Sequence, residues 1–268
     1  MPELPEVENY KRDLNQILAG RRITAVHVGW PNQVGAPSVD ELARRLTDQI
    51  IESVGRRGKY LLFRLSSGDT LLIHLKMSGR LHIKPASSPP DPHTHVVFML
   101  AGGDELRFHD PRKFGRVYLV GSPDDVLDKL GPEPLDKDFT VEQFTALLTN
   151  RRGRLKPLLL NQAFLAGLGN IYADEVLHVA GLHPLRTADT LTSDEVERLH
   201  LAIQSTLRQA IQHQGTSFDQ VYPPGTYQEF LQVYGRVGEP CRRCGTPIER
   251  IVVGQRGTHV CSKCQPAP

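Results

Sequence analysis

Residues 155–180 read LKPLLLNQAFLAGLGNIYADEVLHVA, and their interpretation decides the second half of the chain. Leu155 to about Phe164 carries a helical pattern, Ala166-Gly167-Leu168-Gly169-Asn170 is a tight glycine-rich turn, and Ile171 to Val179 is helical again. The N-terminus of a helix offers unsatisfied N–H groups to an anion, so Asn170 and the N–H groups opening the helix at Ile171 are expected to form an anion site. Further helices are predicted over Thr140 to Asn150 and Ser193 to His213. Thr192 and Glu195 have the spacing of a capping box for the second of these, and Gly215 supplies its stop.

Toward the C-terminus the four cysteines of the chain fall as Cys241-x2-Cys244 and Cys261-x2-Cys264, within the last 28 positions. Two such knuckles have the spacing of a structural zinc site. Four thiolates complete the tetrahedral shell and leave no open position, so one zinc ion is expected to hold a hairpin together without performing chemistry. Two disulfides are disfavoured in a chain expected to be cytoplasmic. That expectation rests on an opening, MPELPEVENY, with Glu3, Glu6 and Glu8 where a secretory signal is basic, and on the absence of an apolar run long enough to span a membrane.

Toward the N-terminus, Leu130-Gly131-Pro132-Glu133-Pro134-Leu135 disfavours regular structure and reads as an interdomain linker. Before it, the segments RITAVHVGW, KYLLFRL, DTLLIHL, HVVFML and GRVYLV between residues 22 and 121 are short and β-branched or aromatic, separated by turn residues. They predict a β-sandwich or barrel. The Pro-rich stretch from Ala86 to Pro92 is a loop within it. Val7, Leu14 and Leu18 give an opening helix one apolar face, ending at Gly20. The domains are therefore expected at 1–130, with the linker at 131–135, a helical domain at 136–235 and the zinc finger at 236–268. The class is α+β.

Composition excludes disorder and fibre: hydrophobic residues make up 39% and charged residues 23% of 268. Net charge is only +2, so a nucleic-acid surface has to come from clustering. The basic residues do cluster: Arg56, Arg57 and Lys59; Arg112, Lys113 and Arg116; Arg151, Arg152, Arg154 and Lys156. The tail from Arg236 onward adds six basic residues against two acidic ones. Together these groups favour phosphate binding. At the start, Met1 precedes Pro2, and loss of Met1 would expose a secondary amine. Such an amine attacks a sugar aldehyde carbon to give an iminium, which is an electron sink. Glu3 lies beside it to move protons, and Glu6 lies three positions on.

The segments MPELPEVE, RRGKYLLF, HLKMSGRL, HDPRKFGR, GPEPL, NQAFLAGLGNIYADE, QVYGRVGEPC and the final hairpin with QRGTH resemble bacterial formamidopyrimidine-DNA glycosylase over nearly the whole chain. The opening PELPE resembles this family and not endonuclease VIII, which typically has a glycine where Leu4 stands. The resemblance implies an N-terminal helix and β-sandwich, a helix-two-turns-helix domain and a zinc hairpin. It implies removal of oxidised purines, chiefly 8-oxoguanine and formamidopyrimidines, from duplex DNA, followed by β,δ-elimination at the abasic site. By the same resemblance Pro2 is the nucleophile, Glu3 the proton donor, Lys59 an assistant in β-elimination and Arg256 a proton donor in δ-elimination. His93, Arg112, Arg151 and Asn170 match DNA-contact positions, and Met77, Arg112 and Phe114 match the side chains that fill the void left by a flipped base. The partner implied is double-stranded DNA carrying oxidised bases or abasic sites, bound by a monomer in the bacterial cytoplasm. The chain departs from the family near Asp219, where a basic residue is usual, and its loop up to Tyr227 is shorter. Lesion preference therefore stays open between oxidised purines and the oxidised pyrimidines of endonuclease VIII. A zinc-bearing DNA binder without catalysis is the rival from another class, and Pro2 discriminates against it.

Overall fold

Among the described residues nine strands between the opening helix and residue 120 form two sheets, and their order decides between sandwich and barrel. In the computed structural model, which describes residues 1–89, 91–217 and 224–268, α1 spans Leu4–Leu18 and points Val7, Tyr10, Leu14 and Leu18 inward. There follow β1 (Ile23–Val28), β2 (Val34–Ala36), α2 (Val39–Leu46), β3 (Ile51–Arg57), β4 (Tyr60–Leu65), β5 (Thr70–His74), β6 (Arg80–Pro85), β7 (Thr94–Leu100), β8 (Asp104–His109), β9 (Arg116–Val120) and α3 (Asp124–Leu127). One sheet has the order β1-β7-β8-β6 and the other β2-β9-β5-β4-β3. Among the described residues only β2 and β9 pair in parallel. Apolar side chains of both sheets and of α1 share one core that includes Phe63, Phe98 and Phe108, so the unit is a sandwich.

The five strands legible in the sequence are β1, β4, β5, β7 and β9. Missing from that reading were α2 and the strands β2, β3, β6 and β8. The reason is visible in β6 (RLHIKP) and β8 (DELRFH), where every second residue is charged or imidazole and only the alternate ones face the core. α2 is announced by Ser38, whose hydroxyl accepts the Glu41 N–H at 3.3 Å.

The contacts of the chain divide it into two units. The first holds residues 1–2, 6–128 and the described residues between Thr216 and Gly225; the second holds 3–5, 129–215 and 226–268. In the second, α4 (Val141–Leu148), α5 (Leu155–Leu160), α6 (Asn170–Ala180) and α7 (Ser193–Gln212) surround a core of Phe144, Phe164, Tyr172, Leu199 and their neighbours. α5 is shorter than its apolar pattern suggests. The Asn161 side chain takes the Ala163 N–H at 3.0 Å, an Asx turn that competes with another helical turn. The capping box of α7 is complete, with Glu195 N donating to Thr192 Oγ1 and Thr192 N to Glu195 Oε2. The stretch after Leu130 is seated on the α5–α6 connection: Gly131 N donates to Gln162 O at 2.9 Å and Pro132 O accepts from Ala166 N at 3.0 Å. A Cβ on Gly131 would lie 2.5 Å from the Phe164 carbonyl oxygen, so the close approach requires glycine. The chain closes with the hairpin β10 (Glu249–Val253) and β11 (Arg256–Val260).

Candidate active site and zinc hairpin

In the second unit the glycine-rich turn is shaped around Glu3. The Glu3 carboxylate accepts N–H bonds from Gly169 at 2.6 Å, Ile171 at 3.0 Å and Tyr172 at 3.4 Å, and the residue is 2% exposed. A Cβ at Gly169 would meet the Glu3 carboxyl carbon at 2.3 Å, and one at Gly167, where φ is +97°, would meet Leu4 at 2.5 Å. Both glycines are therefore fixed by the residues beside Pro2. This corrects one expectation. The anion seated at the start of α6 is the protein's own Glu3 carboxylate, and these three N–H groups are not offered to a phosphate. Asn170 points elsewhere, its Nδ2 donating to Gly257 O of the hairpin at 3.1 Å.

Lys156 is a second correction. Its sequence neighbours Arg151, Arg152 and Arg154 are exposed, but Lys156 is fully buried and its ammonium meets Asp174 Oδ1 at 2.6 Å, Thr258 Oγ1 at 2.8 Å and Gly257 O at 3.0 Å. Asp174 also accepts the His259 N–H at 2.9 Å. Burial pulls the Lys156 ammonium below its usual range, opposed first by Asp174. This pair and Asn170 fix β11 to α5 and α6, and Arg256 stands exposed at the start of β11 after the turn residues Gly254 and Gln255, both at positive φ. Glu3, Asn170 and Arg256 are thus gathered on one frame. Arg151 stands apart, exposed between α4 and α5.

The four cysteine sulfurs lie within 4.8 Å of one another. Cys241 and Cys264 are 3.9 Å apart and Cys244 and Cys261 3.5 Å. A tetrahedron with Zn–S bonds of about 2.3 Å has edges of about 3.8 Å, so the donor set fits one zinc ion. His178 Nε2 lies 3.4 Å from Cys241 Sγ and Arg243 N donates to the same sulfur at 3.4 Å, contacts of the kind that orient a thiolate ligand. The segment entering the hairpin is held by Glu175, which accepts the N–H groups of Gln232, Val233 and Tyr234 at 2.7, 2.9 and 2.8 Å.

In the first unit, Pro2 is buried and Lys59 is 5% exposed in the two-residue turn between β3 and β4. Beside it His74 is pushed down to about 3 by burial and by the cationic Lys76 and Lys59, and its Nδ1 accepts the Lys76 N–H at 2.9 Å. Met77, Arg112 and Phe114 form an exposed group on two turns, Met77 at 45% and Phe114 at 52%, with Arg112 Nη1 3.8 Å from Met77 Sδ. The sequence reading missed what joins those turns. Fully buried Asp110 accepts from Ser78 Oγ at 2.5 Å, Gly115 N at 2.7 Å and Gln33 Nε2 at 3.1 Å, and its own N–H reaches His93 O at 2.8 Å. The only available signal was an Asp-Pro turn start with a glycine five positions on. Glu6, also buried, accepts Thr216 N at 2.8 Å and Thr216 Oγ1 at 3.3 Å. Ser217 Oγ donates to Gly225 O at 2.6 Å. Asp219 lies outside the described residues.

Exposed apolar and guanidinium tips lie on one unit, and the other carries a helix capped by the Glu3 carboxylate and a four-thiolate hairpin whose donor set fits zinc, an arrangement suited to a zinc-bearing nucleic-acid-binding protein. Residues 1–117 match the formamidopyrimidine-DNA glycosylase N-terminal domain, residues 130–221 the H2TH domain of the same enzyme, and residues 238–267 a zinc finger found in FPG and IleRS. The chain is 49% identical over 272 residues to a formamidopyrimidine-DNA glycosylase of Herpetosiphon aurantiacus, covering 99% of this chain and 100% of the relative. It is 48% identical to that of Pelotomaculum thermopropionicum, with 99% of each covered. Among solved structures, Lactococcus lactis FPG in complex with a Fapy-dG containing DNA superposes with a TM-score of 0.92 at 38% identity, over 99% of this chain and 100% of that one. Its complex with an abasic site containing DNA gives 0.93. The chain belongs to the formamidopyrimidine-DNA glycosylase family. It is a DNA glycosylase of base excision repair that carries one structural zinc.

Proposed function

We propose that this glycosylase excises oxidised purines, 8-oxoguanine and formamidopyrimidines, from duplex DNA and then cleaves the strand at the abasic site. Once Met1 is removed, the Pro2 nitrogen attacks the sugar C1′ and the base departs with a proton; the C1′–O4′ bond then opens with protonation of O4′, which leaves the open-chain sugar held as a cationic iminium on Pro2. Loss of a C2′ proton expels the 3′-phosphate, and a second elimination expels the 5′-phosphate. Glu3 moves the proton at the first step, Lys59 assists β-elimination, and Arg256 serves δ-elimination. A base in a duplex has to be flipped out, which costs a few kcal/mol. Met77 and Phe114 fill the emptied stack and Arg112 satisfies the orphaned partner base. His93, Arg151 and Asn170 are assigned to the DNA backbone. The protein acts as a monomer in the bacterial cytoplasm, where duplexes with oxidised bases or abasic sites are its partners. Among the described residues no helix is long and apolar enough to cross a membrane.

The observation that supports this reading most is the immobilised Glu3 carboxylate, covalently next to Pro2 and built into the turn through two glycines. The experiment is borohydride trapping on duplexes carrying 8-oxoguanine, a formamidopyrimidine, an oxidised pyrimidine or a ready-made abasic site. Trapping through residue 2, faster on the two oxidised purines than on the oxidised pyrimidine, is the expected result, with the abasic duplex trapped without the excision step. Faster trapping on the oxidised pyrimidine would overturn the substrate assignment, and an uncleaved Met1 in active protein would overturn the nucleophile. Glu3→Gln should impair excision more than cleavage of the abasic duplex, since the latter has no base to expel.

A further inference from the structure

The outer face of the β1-β7-β8-β6 sheet carries a cationic cavity that the glycosylase reading leaves unused. Cross-strand pairing sets Arg80 opposite His109 and His82 opposite Arg107, and pairs opposite one another share a face of the sheet. Lys84 follows two residues after His82 on the same face. Arg80, His82, Lys84, Arg107 and His109 line a cavity of about 460 Å³, with Asp91 as an acidic side chain on its wall. That volume lies in the range of ligand pockets, about 300 to 1,000 Å³. The floor is rigid. Arg107 donates to Glu105 at 2.7 Å, Ser88 O at 2.9 Å and Pro89 O at 3.0 Å, so its guanidinium ties the sheet to the loop after β6.

We propose that this cavity is an anion site for a phosphate group, of a free phosphate compound or of a DNA strand, gripped by Arg80, Lys84, His82 and His109. Arg80, Lys84 and Arg107 are its permanent cations; Arg107 is paired with Glu105 at 2.7 Å, and Asp91 faces His109 Nε2 at 3.2 Å. A divalent metal is the poorer occupant, because those cations repel it while they attract an oxyanion. His82 and His109, with ring centroids 6.2 Å apart, add a proton-dependent component. Burial, and then the neighbouring cations and imidazoles, hold the His82 ring below its ordinary range; for His109, burial is followed by Asp91, which opposes it, and by Arg80 and His93, which add to it. The other charged or titratable groups around these rings are Asp110, which opposes the shift of His109, Glu105 on β8, and Tyr10 and Asp13 of α1, which share a second cavity with His82. An arriving phosphate adds negative charge beside both imidazoles, so binding takes up protons and strengthens as pH falls.

The test follows the imidazole resonances of His82 and His109 by NMR in the intact, zinc-loaded protein, titrated with inorganic pyrophosphate or with a short undamaged duplex. Pyrophosphate should move both resonances, with affinity rising about tenfold between pH 8 and pH 6, as expected for one imidazole gaining its proton on binding. The double variant His82→Gln, Lys84→Ala changes partly exposed positions, so it should keep its melting temperature and its borohydride trapping and bind pyrophosphate about tenfold more weakly. If the duplex displaces pyrophosphate, the source is a DNA strand, and the variant then also lowers the salt dependence of duplex binding by about one counterion. If pyrophosphate binds without competition from the duplex, the source is a free phosphate compound. Resonances unmoved by both probes, or a double variant that binds them as tightly as the parent, would overturn the proposal. Neither result bears on lesion excision.

Discussion

The two units solve the placement of functional side chains in opposite ways. In the first, the exposed Met77, Arg112 and Phe114 ride on tight turns over a large apolar core, and one buried carboxylate, Asp110, joins those turns. In the second, Glu3, Asp174 and Glu175 are all buried, a lysine is buried with them, and four thiolates close the hairpin. The sandwich can rely on area removed from water, because its nine described strands and the helices α1 and α2 share one core. A hairpin whose own apolar cluster is Val233, Cys241, Ile248 and Cys261 cannot, and it is held by metal and charge. Groups that only need to protrude are mounted on turns, whereas groups that must sit at fixed hydrogen-bonding distance are locked by buried donors.

The largest effect that would break this contrast is loss of the metal. Any of Cys241, Cys244, Cys261 or Cys264 changed to serine should remove a contribution on the order of 10 kcal/mol from the hairpin alone. Limited proteolysis should then cut within residues 238–267 and DNA binding should vanish, while circular dichroism still reports the sandwich. A variant without zinc that keeps its hairpin protected would show that apolar packing suffices there.

Lys156→Met comes next. It leaves Asp174 buried without its ammonium partner, a change that costs about 3–5 kcal/mol. Replacing both, Lys156→Met with Asp174→Leu, should recover part of the loss in a denaturant titration, since the apolar pair removes the unpaired charge but leaves the His259 N–H without its acceptor. Equal losses in single and double variants would mean that the contacts to Thr258 and Gly257, not the ion pair, carry the stability.

A smaller effect reports on the first unit. His74 is held near 3 against 6.5 in the unfolded chain, so the unfolded state binds the proton first as pH falls. Its contribution is complete above pH 6.5 and is lost at about 1.4 kcal/mol per pH unit below it, or about 2 kcal/mol by pH 5. His74→Gln should flatten that part of the acid limb, measured as unfolding free energy against pH. An unchanged slope would remove His74 from the acid response of the sandwich.

The smallest expected effect belongs to the feature most legible in the sequence. Thr192 and Glu195 stand three residues apart, both halves of their capping box form, and Thr192→Ala should cost about 1 kcal/mol in thermal unfolding. The cysteine knuckles and the runs of apolar residues in β4 and β5 were legible for the same reason: each signal lies within a few residues of itself. Asp110, the Lys156 pair and the seat of Glu3 were not, because their partners stand far off in the chain. Lys156 meets Thr258 across 102 positions, Asp110 meets Gln33 across 77, and Glu3 meets Gly169 across 166. Local spacing made Lys156 look like one more cation in a basic run, and only the hairpin's return shows it to be a buried tie. If Thr192→Ala instead cost as much as Lys156→Met, the division between weak local and strong long-range fixation would fail, and α7 would have to be counted among the elements held by a single polar contact.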